Sequence, residues 1–261
     1  MVESGTIDRE MVVTKRPLRL SRRDRAKATH WRVVEAAYAL FSERGYAGTT
    51  MVQIAEAAGV AVQTVYFAFH TKAALLSRAY DFAVMGQQEP LVPQEQSWYK
   101  AMTGEPEITK ALRHLVTGAG EITRRVMPLY LVARVAADSD ADTARVVAYH
   151  ERWRVDGYRE MLGLLRAKAE LRPGLDLKRA TDLLLLFVGV DVYHALVHGR
   201  GWSHQEWMDW TVATAAQQIF GRHILSTDRK PTASIGEAQQ EPTRHAQPRT
   251  RPRPPTSPNA R

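Results

Sequence analysis

Gln63 and Thr64 stand near the start of a short stretch, Val62 to Phe69, that reads as a helix. A glutamine amide can hold a base edge through two hydrogen bonds, most naturally on adenine. A threonine can bond a base or touch a thymine methyl. Tyr66 can donate its phenol to a phosphate. Lys72 is placed for another phosphate at the start of the next helix, where the N-terminal dipole helps. Val65 and Phe69 should point inward, which leaves Val62, Gln63, Thr64, Tyr66 and Ala68 outward. A solvated face normally carries Lys and Glu, and this one carries no formal charge.

The elements that must hold these residues can be built from local chemistry. Thr50 and Gln53 form a Thr-x-x-Gln capping box, which starts a helix over Met51 to Ala58. Ile54, Ala55 and Ala58 share its inner face. Gly59 ends it, since the position after a helix favours positive φ, and Val60 is the apolar pivot of the turn. Thr71 is the N-cap of the helix that follows. Two short helices around a glycine turn fit a unit that lays its second helix in the DNA major groove. They fit equally a packed helical hairpin with no partner.

The stretch Trp31 to Gly48 (WRVVEAAYALFSERGYAG) and the stretch Thr49 to Leu76 together closely resemble the DNA-binding domain of TetR-family transcriptional regulators. The shared features are a first helix ending Phe-x-x-Arg-Gly-Tyr, then Thr-Thr and Ile-Ala-x-x-Ala-Gly-Val. Thr-Val-Tyr, Phe69 and Thr71-Lys72 before Ala-Leu-Leu complete the pattern. The resemblance implies that Thr50, Thr64, Tyr66 and Lys72 touch phosphates and that Gln63 reads bases. Three positions depart from the pattern. Ala61 replaces the usual capping residue, at a cost of ~1 kcal/mol. Ala68 stands where the family often has His or Tyr. Phe67 is unusually apolar for an outward residue and faces either a thymine methyl or the first helix.

Composition narrows the class. The chain has 261 residues, 44% of them hydrophobic, enough for a packed core. It holds no cysteine, which excludes a disulfide scaffold or thiolate metal site and fits a cytoplasmic protein. The N-terminus has no apolar signal-peptide core, and the densest apolar run, Leu183 to Val190, is too short to span a bilayer. The net charge is +8. Residues 1–30 and residues 226–261 each carry +4, so the middle of the chain is neutral. Residues 1–25 read as a disordered basic arm, with Arg22, Arg23 and Arg25 able to follow the phosphate backbone or enter the minor groove. Residues 226–261 contain seven of the thirteen prolines and read as a disordered Pro/Arg-rich tail.

The expected fold is all-α. Residues 26–75 form a three-helix helix-turn-helix domain, and residues 76–225 form a helical bundle for effector binding and dimerisation. Within the second part, helices are expected over 71–85, 107–126, 143–171, 177–198 and 203–225. A loop should cover 86–106, and Pro128 should interrupt the chain before a short helix through Ala137. The run Leu183 to Val192 is apolar over more than one stripe, so it must be buried on both sides. A four-helix bundle with a second subunit satisfies it, and a homodimer also supplies the two recognition helices that a palindromic operator needs. The centre of one subunit's own core satisfies it too.

Tyr130, Tyr149, Trp153, Tyr158, Asp191 and His194 fall on plausible inner faces as candidate effector contacts. Asp191, His194 and His198 share a helix face at i, i+3 and i+7. That spacing admits a metal, interface hydrogen bonds or effector contacts, and no metal or other cofactor is assigned. The leading reading is a ligand-responsive regulator that binds a double-stranded DNA operator as a dimer and leaves it when a small-molecule effector binds. An all-α enzyme is the second. The sequence offers it no catalytic residue set: no Gly-x-Ser-x-Gly, no phosphate-binding glycine loop and no His-Glu-x-x-His. An architectural DNA-binding protein driven by the basic ends is the third.

Overall fold

Residues 21–86 and 92–222 are described by a computed structural model of the chain. Residues 1–20 of the expected arm and the tail expected over 226–261 lie outside the described residues. Among the described residues the regular elements are helices: α1 Arg22–Arg44, α2 Met51–Ala58, α3 Val62–Phe69, α4 Lys72–Met85, α5 Ser97–Gly104, α6 Ile108–Ala137, α7 Ala141–Arg166, α8 Leu177–Phe187, α9 Val190–Tyr193 and α10 His204–Phe220. Short 3₁₀ and π turns at Pro93–Glu95 and His194–His198 complete them.

The first helix begins earlier than expected. Ser21 and Asp24 form a reciprocal capping box, so Arg22, Arg23 and Arg25 belong to the first turns of α1 and not to a disordered arm. A second correction concerns residues 86–106. That span is not all loop, because α5 lies in it and buries Tyr99 and Met102. A third concerns Pro128, which sits inside the 30-residue α6 without ending it. The proline has no N–H for the carbonyl four residues back. The neighbouring Arg125 carbonyl accepts the Tyr38 hydroxyl at 2.9 Å from α1.

The expected helix 177–198 is split. Val188 and Gly189 leave helical geometry, with Gly189 at ψ 151°. A Cβ at Gly189 would lie 2.8 Å from the Leu185 carbonyl, so the close approach needs glycine. The Val188 carbonyl freed by the break accepts the Thr123 hydroxyl at 3.0 Å. By length and composition the 22 residues from Leu177 to His198 would suit a membrane span. The run is nonetheless broken in the middle and buries Ala180, Leu184 and Phe187 against protein. Helices α7 and α10 also end earlier than expected, at Arg166 and Phe220, the latter capped by Gly221 in the left-handed region.

Two apolar cores organise these helices. The first joins α1, α2, α3 and α4 with Leu129 and Ala133 from the C-terminal half of α6. The second joins α5, the N-terminal half of α6, the C-terminal half of α7, α8 and α10. The expected boundary at residues 75 and 76 therefore falls inside a core, since Leu75 and Leu76 are both fully buried in the first one. Helix α6 belongs to both cores and links them.

Small residues let bulky ones approach α6. Trp98 of α5 packs directly on Gly118, and Trp207 of α10 packs at Gly120. A Cβ at Gly118 would fall inside the van der Waals envelope of the Trp98 indole. Gly118→Ala should therefore destabilise the chain by ~1–3 kcal/mol through overpacking. Gly163→Ala on α7, whose Cβ would meet nothing within 4 Å, should stabilise it by ~0.5–1 kcal/mol through helix propensity. Denaturant midpoints decide the matter, and a Gly118→Ala midpoint at or above that of the unaltered chain would refute the packing of Trp98 on α6.

Candidate nucleic-acid interface

The interface is assembled by three local signals acting in series. The Thr50 hydroxyl accepts from the Gln53 N–H at 3.2 Å, and the Gln53 side chain accepts from the Thr50 N–H at 2.9 Å, which fixes the start of α2. Gly59 takes φ 65° and ψ 43° and ends it. Ala61 then opens α3 with no side-chain cap, as the sequence indicated. The two helices meet at 112°, within the range of helix-turn-helix units.

Val65 and Phe69 are buried and anchor α3 to the first core. Gln63, Thr64, Tyr66, Phe67 and Ala68 are exposed. Tyr66 is half exposed and Phe67 is 85% exposed. Thr50 is also at the surface. Arg22 and Arg25 on α1 face α3 across a cleft of about 820 Å³, while Arg23 lies off that face. His30 stacks on Phe69 at 4.8 Å, which helps fix α1 against α3. Burial holds its imidazole below the ordinary histidine range, and nearby Arg78 adds to that.

After α3 the chain reverses in a single residue. His70 takes φ 60° and ψ −53°, and the Thr71 N–H donates to the Phe69 carbonyl at 2.6 Å. This is a γ-turn of the rare positive-φ form, a strained conformation for a side-chain-bearing residue. Thr71 immediately caps α4 by accepting from the Ala74 N–H at 3.0 Å.

Residues 33–79 match the family model for bacterial regulatory proteins of the tetR family. That stretch, which runs from the middle of α1 to the middle of α4, is similar to the domain this family model describes. Solved structures agree at the level of fold over a longer stretch. NalD of Pseudomonas aeruginosa, the secondary repressor of the MexAB-OprM multidrug efflux pump, is 20% identical with a TM-score of 0.55; the match covers 75% of this chain and 98% of that one. The transcriptional regulator FadR of Bacillus subtilis, solved with stearoyl-CoA, is 17% identical with a TM-score of 0.57; the match covers 73% of this chain and 99% of that one. No curated protein matches the chain significantly by sequence.

Within the matched stretch Lys72 has a role that sequence reasoning missed. Its ammonium donates to the carbonyls of Tyr46 at 2.8 Å and Thr49 at 3.1 Å, and it lies 4.1 Å from the centre of the Tyr46 ring. Two of its three donors thus hold α4 to the loop between α1 and α2. Burial lowers the pKa of the ammonium, partly countered by Asp140. Thr49 was missed as well. It is fully buried, and its hydroxyl lies 2.8 Å from the Gly45 carbonyl and 3.1 Å from that of Leu40, tying the same loop to α1.

Helix α4 is also fastened to α6 and α7. The Arg125 guanidinium of α6 donates to the carbonyls of Ala83 at 2.8 Å and Val84 at 3.3 Å, near the C-terminus of α4. Ser77 and His150 of α7 share a hydrogen bond of 3.0 Å, and His150 stacks on Tyr80 at 4.6 Å. No motif marked Arg125 or His150 beforehand, because both act through partners distant in sequence.

The six candidate effector contacts do not gather as one cluster. The Tyr130 hydroxyl donates to Asp191 at 3.0 Å, and Arg134 pairs with the same carboxylate at 2.6 Å. Tyr149 and Trp153 lie side by side on the exposed face of α7, 6.2 Å between rings. Tyr158 packs against the second core, where burial pushes its phenol up to about 12. His194 is exposed and stacks on His198 at 5.6 Å.

Two outcomes follow from the ties on α4. Lys72→Met should lower unfolding stability by ~1 kcal/mol without DNA present, from lost charge-assisted hydrogen bonds at a half-exposed site. An unchanged thermal midpoint would leave Lys72 with only a phosphate role. For His150, desolvation by burial keeps the imidazole below the ordinary value of 6.5, against an opposing pull from Asp81. The unfolded chain therefore takes up more protons as the pH falls below that value. The stability contributed by neutral His150 is present above it and lost below it. His150→Gln should flatten the loss of denaturant midpoint between pH 7 and pH 5.5, a window set by the ordinary histidine value. Parallel curves for the two proteins would show that His150 does not carry the effect.

Proposed function

We propose that this chain is a cytoplasmic, ligand-responsive transcriptional repressor that binds a palindromic DNA operator as a homodimer and is released by a small-molecule effector. The observation that carries the proposal is the exposed, uncharged row Gln63–Thr64 at the start of the second helix of a 112° helix pair, in a stretch that matches the tetR family. In such units the N-terminal part of the second helix reads base edges. Gln63 is assigned to a base, and Thr50, Thr64, Tyr66 and Lys72 to phosphates, with Arg22, Arg23 and Arg25 of α1 adding backbone contacts. The chain acts by binding, not by catalysis.

Dimerisation is supported by Leu186, an apolar residue of α8 that is 56% exposed. A second copy would cover it and supply the second recognition helix. The effector is assigned to the helices that follow α4, with Tyr130, Tyr149, Trp153, Tyr158, Asp191 and His194 as the candidate contacts. That the Bacillus subtilis regulator was solved with stearoyl-CoA supports an effector of the small-molecule class. Release follows if the effector binds better to a state in which the two recognition helices no longer fit successive major grooves. The ties from α4 to α6 and α7 supply the physical connection.

Selection from random double-stranded DNA tests this reading. The chain should enrich a palindrome with half-sites about one helical turn apart. Gln63→Ala should relax one position in each half-site, at ~1–3 kcal/mol of lost discrimination. Enrichment of no sequence, with affinity that falls steeply with salt on any DNA, would instead establish the architectural reading.

A further inference from the structure

Phe67 exposes more of its side chain than any other large apolar residue described, at 85%. Leaving an aromatic ring in water forgoes the stabilisation that burial gives, and the core-facing positions of α3 are already filled by Val65 and Phe69. Its place on the helix is specific. Phe67 follows Gln63 by four residues and Thr64 by three, so all three share one face. The ring also lines the cleft between α3 and the start of α1, whose other wall includes Arg22, Arg25 and Thr29. Ala68 contributes only a methyl to that cleft, which leaves it open.

A phenyl ring has no donor or acceptor with which to read the polar edges of bases. The apolar feature that the major groove offers is the C5-methyl of thymine. Two cationic side chains beside the ring supply the complement for the phosphate of the strand that carries that methyl. On the proposed DNA-binding role of α3, we infer that Phe67 determines specificity by packing on a thymine methyl, with Arg22 and Arg25 seating the adjoining phosphate in the cleft. The choice between first helix and base is thereby decided, because the ring remains exposed alongside α1.

The test begins with an operator selected from random DNA by the full chain. Each thymine is then replaced singly by deoxyuridine, which removes the methyl and nothing else. One replacement per half-site should weaken the wild-type chain about threefold to fivefold, the value of one buried methyl. Phe67→Ala should bind that deoxyuridine site and the thymine site equally, and should keep the wild-type response at every other thymine. Phe67→Leu should retain part of the response. Arg25→Gln should weaken all these sites alike and shallow the salt dependence by about one phosphate per subunit. Phe67 is exposed, so Phe67→Ala should keep the wild-type thermal midpoint; a large drop would mean that the ring packs within the fold and would overturn the inference. An operator at which every thymine methyl is silent, or at which Phe67→Ala responds as the wild type does, overturns it alone. Failure to select any operator overturns the regulator reading and this inference with it.

Discussion

The guanidinium of Arg125 lies against the C-terminal carbonyls of α4, and the polar tie between α4 and α6 depends on that contact. The last turn of a helix leaves carbonyls without partners and carries partial negative charge. A planar cation with several donors answers both needs at once. Arg125 is half-buried, and burial alone works against its charge. The carbonyls of Ala83 and Val84 accept its hydrogen bonds, and nearby Glu121 counters part of that cost. At the other end of α4, Lys72 does the same for the loop between α1 and α2. One helix is therefore held at its start by the loop between α1 and α2 and at its end by α6.

This arrangement constrains how a signal can travel. The first core takes in Leu129 and Ala133 of α6 and packs against Val146 and Val147 of α7. Helix α4 cannot slide without disturbing those side chains, the Arg125 contacts and the Ser77–His150 bond. Close-packed interfaces shift between discrete arrangements and do not deform continuously. The γ-turn at His70 leaves a single residue between α3 and the cap of α4. A shift of α4 thus has very little loop in which to dissipate before it reaches α3.

How much of this was legible in the sequence follows from the range of each signal. Thr50, Gln53, Gly59, Ala61 and Thr71 act within four residues of themselves, and the structure puts α2 and α3 at the bounds they implied. Pro128 misled because its cost depends on what surrounds it, and the hydroxyl that bonds the adjacent Arg125 carbonyl comes from Tyr38, 87 residues away. Gly189 was hidden in an apolar run whose composition favours helix, while its break rests on the Thr123 hydroxyl of another helix. The prolines of the span 86–106 point to loop. A loop of that length inside a domain is uncommon, and Tyr99 and Met102 at i and i+3 mark the apolar face of α5. The candidate effector contacts were the least legible, because facing inward on a helical pattern does not determine which residues meet. Tyr130 meets Asp191 and Tyr149 meets Trp153, as two separate pairs.

The distribution of charge around α3 separates affinity from selectivity. From Val62 to Phe69 the helix carries no ionisable group except Tyr66. Cations are placed on its two neighbours, Arg22 and Arg25 at the start of α1 and Lys72 at the start of α4. The Ser21–Asp24 box gives those arginines a helical frame, so they are presented at fixed spacing and not on a loose arm. Phosphate attraction is indifferent to sequence, and an added lysine on α3 would strengthen binding to all DNA alike. On the proposed role, a neutral α3 leaves discrimination to the Gln63 amide and the Phe67 ring, whose contacts are lost when the wrong base is present. The uncapped start at Ala61 is consistent with the same division. A side-chain cap there would spend a hydroxyl or carboxylate on the helix's own N–H groups, and a carboxylate would oppose the phosphates that flank the groove.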